Sequence, residues 1–197
     1  MIELPKECEV NKFLAKKIFY EKVNISTSIK QEFVDKLEKI TWKYKISENN
    51  INVSKTENVE EIEIFELVLK EKYDAKNIVK VITKEIPYPI LFYINYNDEF
   101  QYAIKYEDNI YFTEWNDDIK FDFLGLNLEI VYENIVKLIT NIDSSTNNVK
   151  DELERKQEIQ KIKNEIAKLE NQMRKEKQFN KKVELNKKIL ELKNKVE

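Results

Sequence analysis

The last 47 residues of this chain contain neither glycine nor proline, and their apolar side chains recur every three or four positions. Lys, Glu, Leu, Ile, Asn and Gln dominate the stretch, and most of these are good helix formers. Ile159, Ile162, Ile166, Leu169 and Met173 step by 3, 4, 3 and 4, which is a heptad seam. Leu185, Ile189, Leu192 and Val196 step by 4, 3 and 4. The 12 residues between Met173 and Leu185 break the common register. Two foldings accommodate that break. In one, a single amphipathic helix of about 65–70 Å lets its stripe rotate, with Phe179 and Val183 bridging. In the other, the chain turns near Asn180 into a helical hairpin. The single helix is the preferred reading. Its stripe needs cover, and a second copy in a coiled coil is the commonest solution. The N-terminal domain or another protein are the other two.

Composition divides the chain near the same point. Residues 151–197 carry 14 Lys+Arg and 10 Asp+Glu, which leaves 20 and 27 in residues 1–150. All 10 Tyr and both Trp precede residue 151. The small polar run Asp143-Ser-Ser-Thr-Asn-Asn148 has linker chemistry. The expected organisation is a domain over 1–143, a linker over 144–150 and a helix or hairpin over 151–197.

Within the first part, Ser28 with Gln31 fits a capping box, followed by Ile29, Phe33, Leu37, Ile40 and Tyr44 on one helix face. The run 61–69, EIEIFELVL, reads as a strand, with Ile51-Asn-Val53 as a weaker partner. Asp74 caps a short helix carrying Ile78, Val79 and Ile82, which Pro87 ends. Residues 90–96 and 99–106 alternate across Asn97-Asp98, a β-hairpin, and 110–115 returns as a third strand. Leu128, Val131, Ile135, Leu138 and Ile142 mark a helix capped by Asn127. This order predicts an α+β fold, a mostly antiparallel sheet with helices on one face, followed by the long C-terminal helix.

Composition excludes several chemistries. With no His, there is no imidazole base, no Ser-His-Asp triad and no His-bound metal. With Gly125 alone, no glycine-rich loop cradles a phosphate. With Cys8 alone, there is no intrachain disulfide and no Cys-based zinc site. Glutamates on either side of Cys8 disfavour its thiolate. The N-terminal sequence lacks signal-peptide chemistry, and no run approaches a membrane span, so a cytoplasmic protein with no membrane partner is expected.

Three constellations invite a functional reading. The acidic run Glu60, Glu61, Glu63 and Glu66 suggests metal binding, but an exposed sheet face or edge explains it better. A restriction-type nuclease needs an acid and then Asp/Glu-x-Lys on the following strand. Glu66 and Lys70 are four apart, and Lys105 has Ala103 where the acid belongs, so no catalytic residues, metal or cofactor are assigned. The aromatics between Tyr88 and Trp115 could stack on bases, but core packing fits them better. Arg174, Lys175, Lys177, Lys181 and Lys182 form a basic stretch able to meet nucleic-acid phosphates, against the plainer reading of a solvated helix face.

Several runs carry a family resemblance: LPKECEVNK, KKIFYEKVNISTSIKQEF, ITWKYKIS, EIEIFELVLK, EIPYPILFYI and KLENQMRKEKQFNKKVELN. Together they resemble an uncharacterised bacterial family, domain of unknown function family 4391, over nearly the whole chain. The resemblance assigns no activity and no site residue. It implies a context in which such proteins neighbour helicases and DNA methyltransferases of restriction or phage-defence systems.

The expectation is therefore a non-enzymatic adaptor or accessory subunit. Its anchors would be Ile159, Ile162, Ile166, Leu169, Met173, Leu185, Ile189 and Leu192, binding a second copy as a homodimer or another protein. A nucleic-acid-binding accessory protein is the alternative, and a degenerate metal-dependent nuclease-like domain the second alternative.

Overall fold

The computed structural model describes residues 2–21, 25–146 and 148–196. It divides into two compact units, Met1–Ser145 and Thr146–Glu197. The first is an α+β unit. Its sheet comprises β1 (Glu9–Leu14), β2 (Leu37–Ser47), β3 (Glu61–Leu69), β4 (Ile90–Tyr96), β5 (Glu99–Tyr106) and β6 (Asn109–Phe112). The strands lie side by side in chain order. Every neighbouring pair is antiparallel except β3 and β4, which are parallel. Parallel neighbours need a crossover, and α4 (Lys76–Glu85) supplies it.

Alternation along the strands sends their side chains to two covered faces. Phe65, Leu67, Phe92, Ile94 and Ala103 share one core with Phe19 of α1 (Lys17–Tyr20), Phe33 of α2 (Thr27–Asp35) and Ile78, Val79 and Ile82 of α4. The intervening positions of β5 point the other way. There Tyr106 packs beside Tyr132 of α5 (Leu128–Thr140), at a ring-centroid distance of 5.8 Å. Tyr102 meets Phe121 edge-on at 4.9 Å, and Phe121 stacks on Phe123. Helix cover thus extends to the second face through α5, helped by the loop before it.

The 90–106 hairpin forms with Asn97 in the left-handed region at φ 54°, a conformation Asn tolerates. The third strand is shorter than its alternation suggests and ends at Phe112. Asp74 meets the start of α4, its carboxylate accepting from Lys76 N at 3.0 Å. Asn127 caps α5 by accepting from Ile130 N at 3.0 Å.

Three readings are corrected. First, the helix through Ile29 and Phe33 stops at Asp35, and Leu37, Ile40 and Tyr44 lie in β2. Ile40, Trp42, Tyr44 and Ile46 also satisfy a period of two. Pairing on both edges of β2, with β1 and β3, satisfies its backbone as a helix would, and decides the ambiguity. The N-cap is Ser26, which accepts from Ile29 N at 3.4 Å and is hydrogen-bonded to Ser28. Second, Ile51-Asn-Val53 is no strand. Residues Glu48–Ile51 make the helical turn α3, and Asn52 ends it at φ 54°.

The third correction concerns the second unit. Helix α6 (Val149–Lys175) ends at Glu176, and α7 (Phe179–Lys193) begins after Gln178. Both Glu176 and Gln178 have extended backbones. The two helices pack on each other, and Lys193 Nζ meets Glu170 at 3.1 Å. In one continuous helix 23 residues would hold them about 35 Å apart. The hairpin therefore replaces the preferred single helix.

Gly125 stands just before α5. A Cβ there would meet Val131 N and Val131 Cγ2, each at 3.0 Å. The backbone atom cannot yield as a flexible side chain can. Gly125→Ala is expected to destabilise the α+β unit by about 1–3 kcal/mol, and Asn127→Ala by about 1 kcal/mol through loss of the cap. Both should appear as lower urea midpoints with an unchanged slope.

Candidate functional site: a buried acid and a helical hairpin

The acidic run does not form an exposed face. Glu60 is exposed, whereas Glu61, Glu63 and Glu66 lie within β3, between β2 and β4. Alternation sends Glu66 to one side, where Asn95 Nδ2 donates to it at 3.4 Å and Lys43 lies 3.9 Å away. Glu61 and Glu63 share the other side with Phe65 and Leu67. Glu63 is only 3% exposed. Its Oε2 has no hydrogen-bond partner among the described residues.

Glu61 and Glu63 line a cavity of about 330 Å³ with the aromatic rings of Trp42, Phe65 and Tyr88, and Glu85 as a third carboxyl. Lys45 stands opposite Glu63 in the β2–β3 register, but its ammonium pairs with Glu61. Burial, above all, pushes the Glu63 carboxyl up to about 8 from its ordinary 4.5, and neighbouring Glu61 adds to the rise. Lys45 and Trp42 pull it down and do not prevail. Trp42 Nε1 donates to Tyr44 O at 3.0 Å. Among the described residues no cluster of three Asp, Glu or Cys could hold a metal ion. The cavity thus sets a buried carboxyl, whose neutral form burial favours, against aromatic walls. The period-two pattern held the signal, since Glu63 occurs on the same face as Phe65, Leu67 and Leu69.

The other proposed residues fall differently. Cys8 is buried, and burial first, then Glu7, pushes its thiol up, which suits an inert side chain. Of the aromatics from Tyr88 to Trp115, Phe92 and Tyr102 are buried and the others half-buried. The nuclease candidate Lys70 donates instead to Val34 O at 2.7 Å.

In the hairpin, Ile159, Ile162, Ile166, Leu169 and Met173 lie on α6 and are half-buried. On α7 Ile189 is buried, and Leu185 and Leu192 are half-buried. A second apolar stripe on α7 is open: Phe179 is 77% exposed, Val183 53% and Leu190 54%. Spacings of 4 and 7 align these three side chains. At 100° per residue they lie about 130° around α7 from Leu185, Ile189 and Leu192. Lys182 and Lys187 flank them. Sequence reasoning took Phe179 and Val183 as bridges within one seam and missed this stripe.

The basic residues gather at the turn. Arg174 and Lys175 close α6, Lys177 lies between the helices, and Lys181 and Lys182 open α7. All five are exposed. Lys175, Lys177, Lys181 and Lys188 line a cleft of about 660 Å³ together with Glu176 and Glu184. Glu176 Oε1 accepts from Lys177 N at 2.7 Å and Gln178 N at 2.8 Å. These bonds hold its carboxyl below its ordinary range.

A pH dependence follows from Glu63. Between about 4.5 and about 8 the folded chain keeps a proton that the unfolded chain has lost. Stability therefore falls as pH rises through this window, with a slope of up to about 1.4 kcal/mol per unit, and levels off above it. Glu63→Gln removes this component. Its melting temperature should match the wild type near pH 5 and exceed it at pH 8.5, in thermal scans followed by circular dichroism.

No helix of the described residues is long and apolar enough to cross a membrane. No curated protein and no solved structure matches the chain. A family model matches it over residues 2–196, and its description is Domain of unknown function (DUF4391). With the match spanning both the α+β unit and the helical hairpin, the chain belongs to that family.

Proposed function

We propose that this protein is a non-enzymatic adaptor that holds a partner protein on the outer stripe of its helical hairpin. The observation that carries this reading is the aligned exposure of Phe179, Val183 and Leu190 on α7. A helix in an ordinary two-helix hairpin needs one apolar face, and α7 has two. The flanking Lys182 and Lys187 favour an amphipathic partner helix with acidic edges. The same charges disfavour a second copy of the hairpin, whose own flanks are basic. A heterotypic partner is therefore preferred here to the homodimer that the heptad seam suggests. The family resemblance points to a helicase or DNA methyltransferase of a restriction or phage-defence system as the partner, with the protein acting in the cytoplasm.

The basic turn favours a second reading, contact with nucleic acid. Arg174, Lys175, Lys177, Lys181 and Lys182 converge there and are exposed. Phosphate contacts by such residues would make affinity fall steeply with salt, by a logarithmic slope of about −0.9 per duplex phosphate neutralised.

The test is co-purification of the full-length protein with the products of its neighbouring genes, a helicase or DNA methyltransferase being the partner this reading expects, repeated with Val183→Asp and Leu190→Asp. Each substitution is expected to weaken the complex at least about tenfold, as loss of an apolar anchor does. The circular dichroism spectrum of the free protein should not change. A complex indifferent to both substitutions contradicts the outer stripe as the docking face. A complex lost only when Lys181 and Lys182 become Glu, with DNA present, favours the nucleic-acid reading.

A further inference from the structure

We propose that the cavity between β1, β2, β3 and the end of α4 binds an organic ammonium ion with an apolar body, and that Glu63 is its anionic anchor. This inference concerns the α+β unit and does not depend on the adaptor reading. Three observations on that cavity converge on a cation bearing an N–H group.

The first is the Glu63 carboxyl, in a residue 3% exposed: no donor lies within hydrogen-bond distance of its Oε2, and what acts on the carboxyl is the Glu61 carboxyl beside it, Lys45 and the Trp42 side chain. A buried carboxyl oxygen without a donor is costly, and a ligand N–H repairs the loss. A purely apolar ligand would leave that oxygen as it is. The second is the charge of the lining. It includes Glu61, Glu63 and Glu85, and no Lys or Arg among its described residues. Glu85 is the last residue of α4, where the helix's free carbonyls already make the end negative. An anion entering the cavity would find no unpaired cation there, because Lys45 is held by Glu61. The third is the wall. Trp42, Phe65 and Tyr88 line it, and aromatic faces attract ammonium ions while accommodating the carbon skeleton. The volume of about 330 Å³ lies at the small end of the range for small-molecule sites.

The charge balance of binding is explicit. The groups acting on Glu63 are Glu61 on its own strand and Lys45 and Trp42 on β2, while Glu85 of α4 and Tyr88 after it line the same cavity. Lys45 and Glu61 neutralise each other as an ion pair. Glu63 therefore starts as the neutral acid near pH 7, gives its proton to solvent as the ammonium enters, and ends as the carboxylate paired with it. Binding releases a proton, and affinity rises with pH until Glu63 is ionised without the ligand.

The experiment is isothermal titration calorimetry of the full-length protein with 2-phenylethylammonium chloride at pH 7, in buffers of different ionisation enthalpy. Release of about 0.9 proton per ligand is expected from a carboxyl titrating near 8. Affinity should rise about tenfold per pH unit below pH 7.5 and flatten above 8.5. The neutral analogue 2-phenylethanol should bind at least about tenfold more weakly, since it supplies no charge to pair with Glu63. Glu63→Gln should lose at least about tenfold in affinity for the ammonium, together with the proton release. Nα-acetyl-lysine N-methylamide distinguishes the source of the cation. Binding as tight as the aryl amine points to a lysine side chain, and weaker binding to a free amine. The proposal is overturned if ammonium and alcohol bind alike, if no proton is released, or if neither amine binds at millimolar concentration. The proton count and the alcohol comparison are made on the unaltered protein, so they decide the matter even where Glu63→Gln does not fold.

Discussion

Strand β3 is paired along both edges and packed on both faces, and the α+β unit is built around it. β2 pairs with it antiparallel and β4 parallel, so neither edge is open. Its residues Ile62, Ile64, Phe65, Leu67 and Leu69 are all buried. Because β4 runs parallel to it, the connection must cross the sheet, and α4 closes one face over Phe65 and Leu67. The same enclosure captures Glu63. A carboxyl at the head of that apolar row is largely cut off from water, and burial disfavours its ionised form unless a cation pairs with it. Lys45 does not follow, because it is held by Glu61. The proton fills the role instead, and the upward push that burial gives the Glu63 carboxyl is thus a consequence of topology.

The edges of the sheet are handled in a different way. β6 has four residues. β1 carries an irregularity between Glu9 and Lys12, with Asn11 at φ 47°. Short, bulged and charged edges resist pairing with other chains. Self-association through strand addition is therefore poorly supported by either edge. The large exposed apolar side chains in the described hairpin are on α7, which makes that helix the more suitable surface for a partner.

Much of this was legible where one signal dominated. The 90–106 hairpin was readable because alternation ran unbroken up to Asn97-Asp98, and α5 because Asn127 and a single apolar face agreed. Legibility failed where one pattern served two periods. Residues 37–46 place apolar side chains at helical spacing in Leu37, Ile40 and Tyr44, and at strand spacing in Ile40, Trp42, Tyr44 and Ile46. Only the neighbouring strands choose between them. The acidic run failed for a related reason. Alternating Glu and Ile looks like one wet face and one dry face, but a sheet covered on both faces has no wet face at its centre. The sequence contains no local mark of that second cover.

The tail shows how a chain turns without glycine or proline. The two seams of α6 and α7 are out of register by their 12-residue interval, so a straight helix would present them on different sides and leave part of the apolar surface in water. Folding at Glu176–Gln178 brings the helices together and forfeits only a few helical hydrogen bonds. The Glu176 carboxylate offsets part of that loss by accepting from the backbone of Lys177 and Gln178. It also places a negative charge before the N-terminus of α7, where the helix dipole favours it. Once the seams have met in this way, Phe179 and Val183 have no gap left to bridge. Their exposure, shared with Leu190, is the residue of a sequence pattern richer than the hairpin alone requires. An apolar row exposed on a helix otherwise dense in lysine and glutamate is the feature on which the proposed docking face rests.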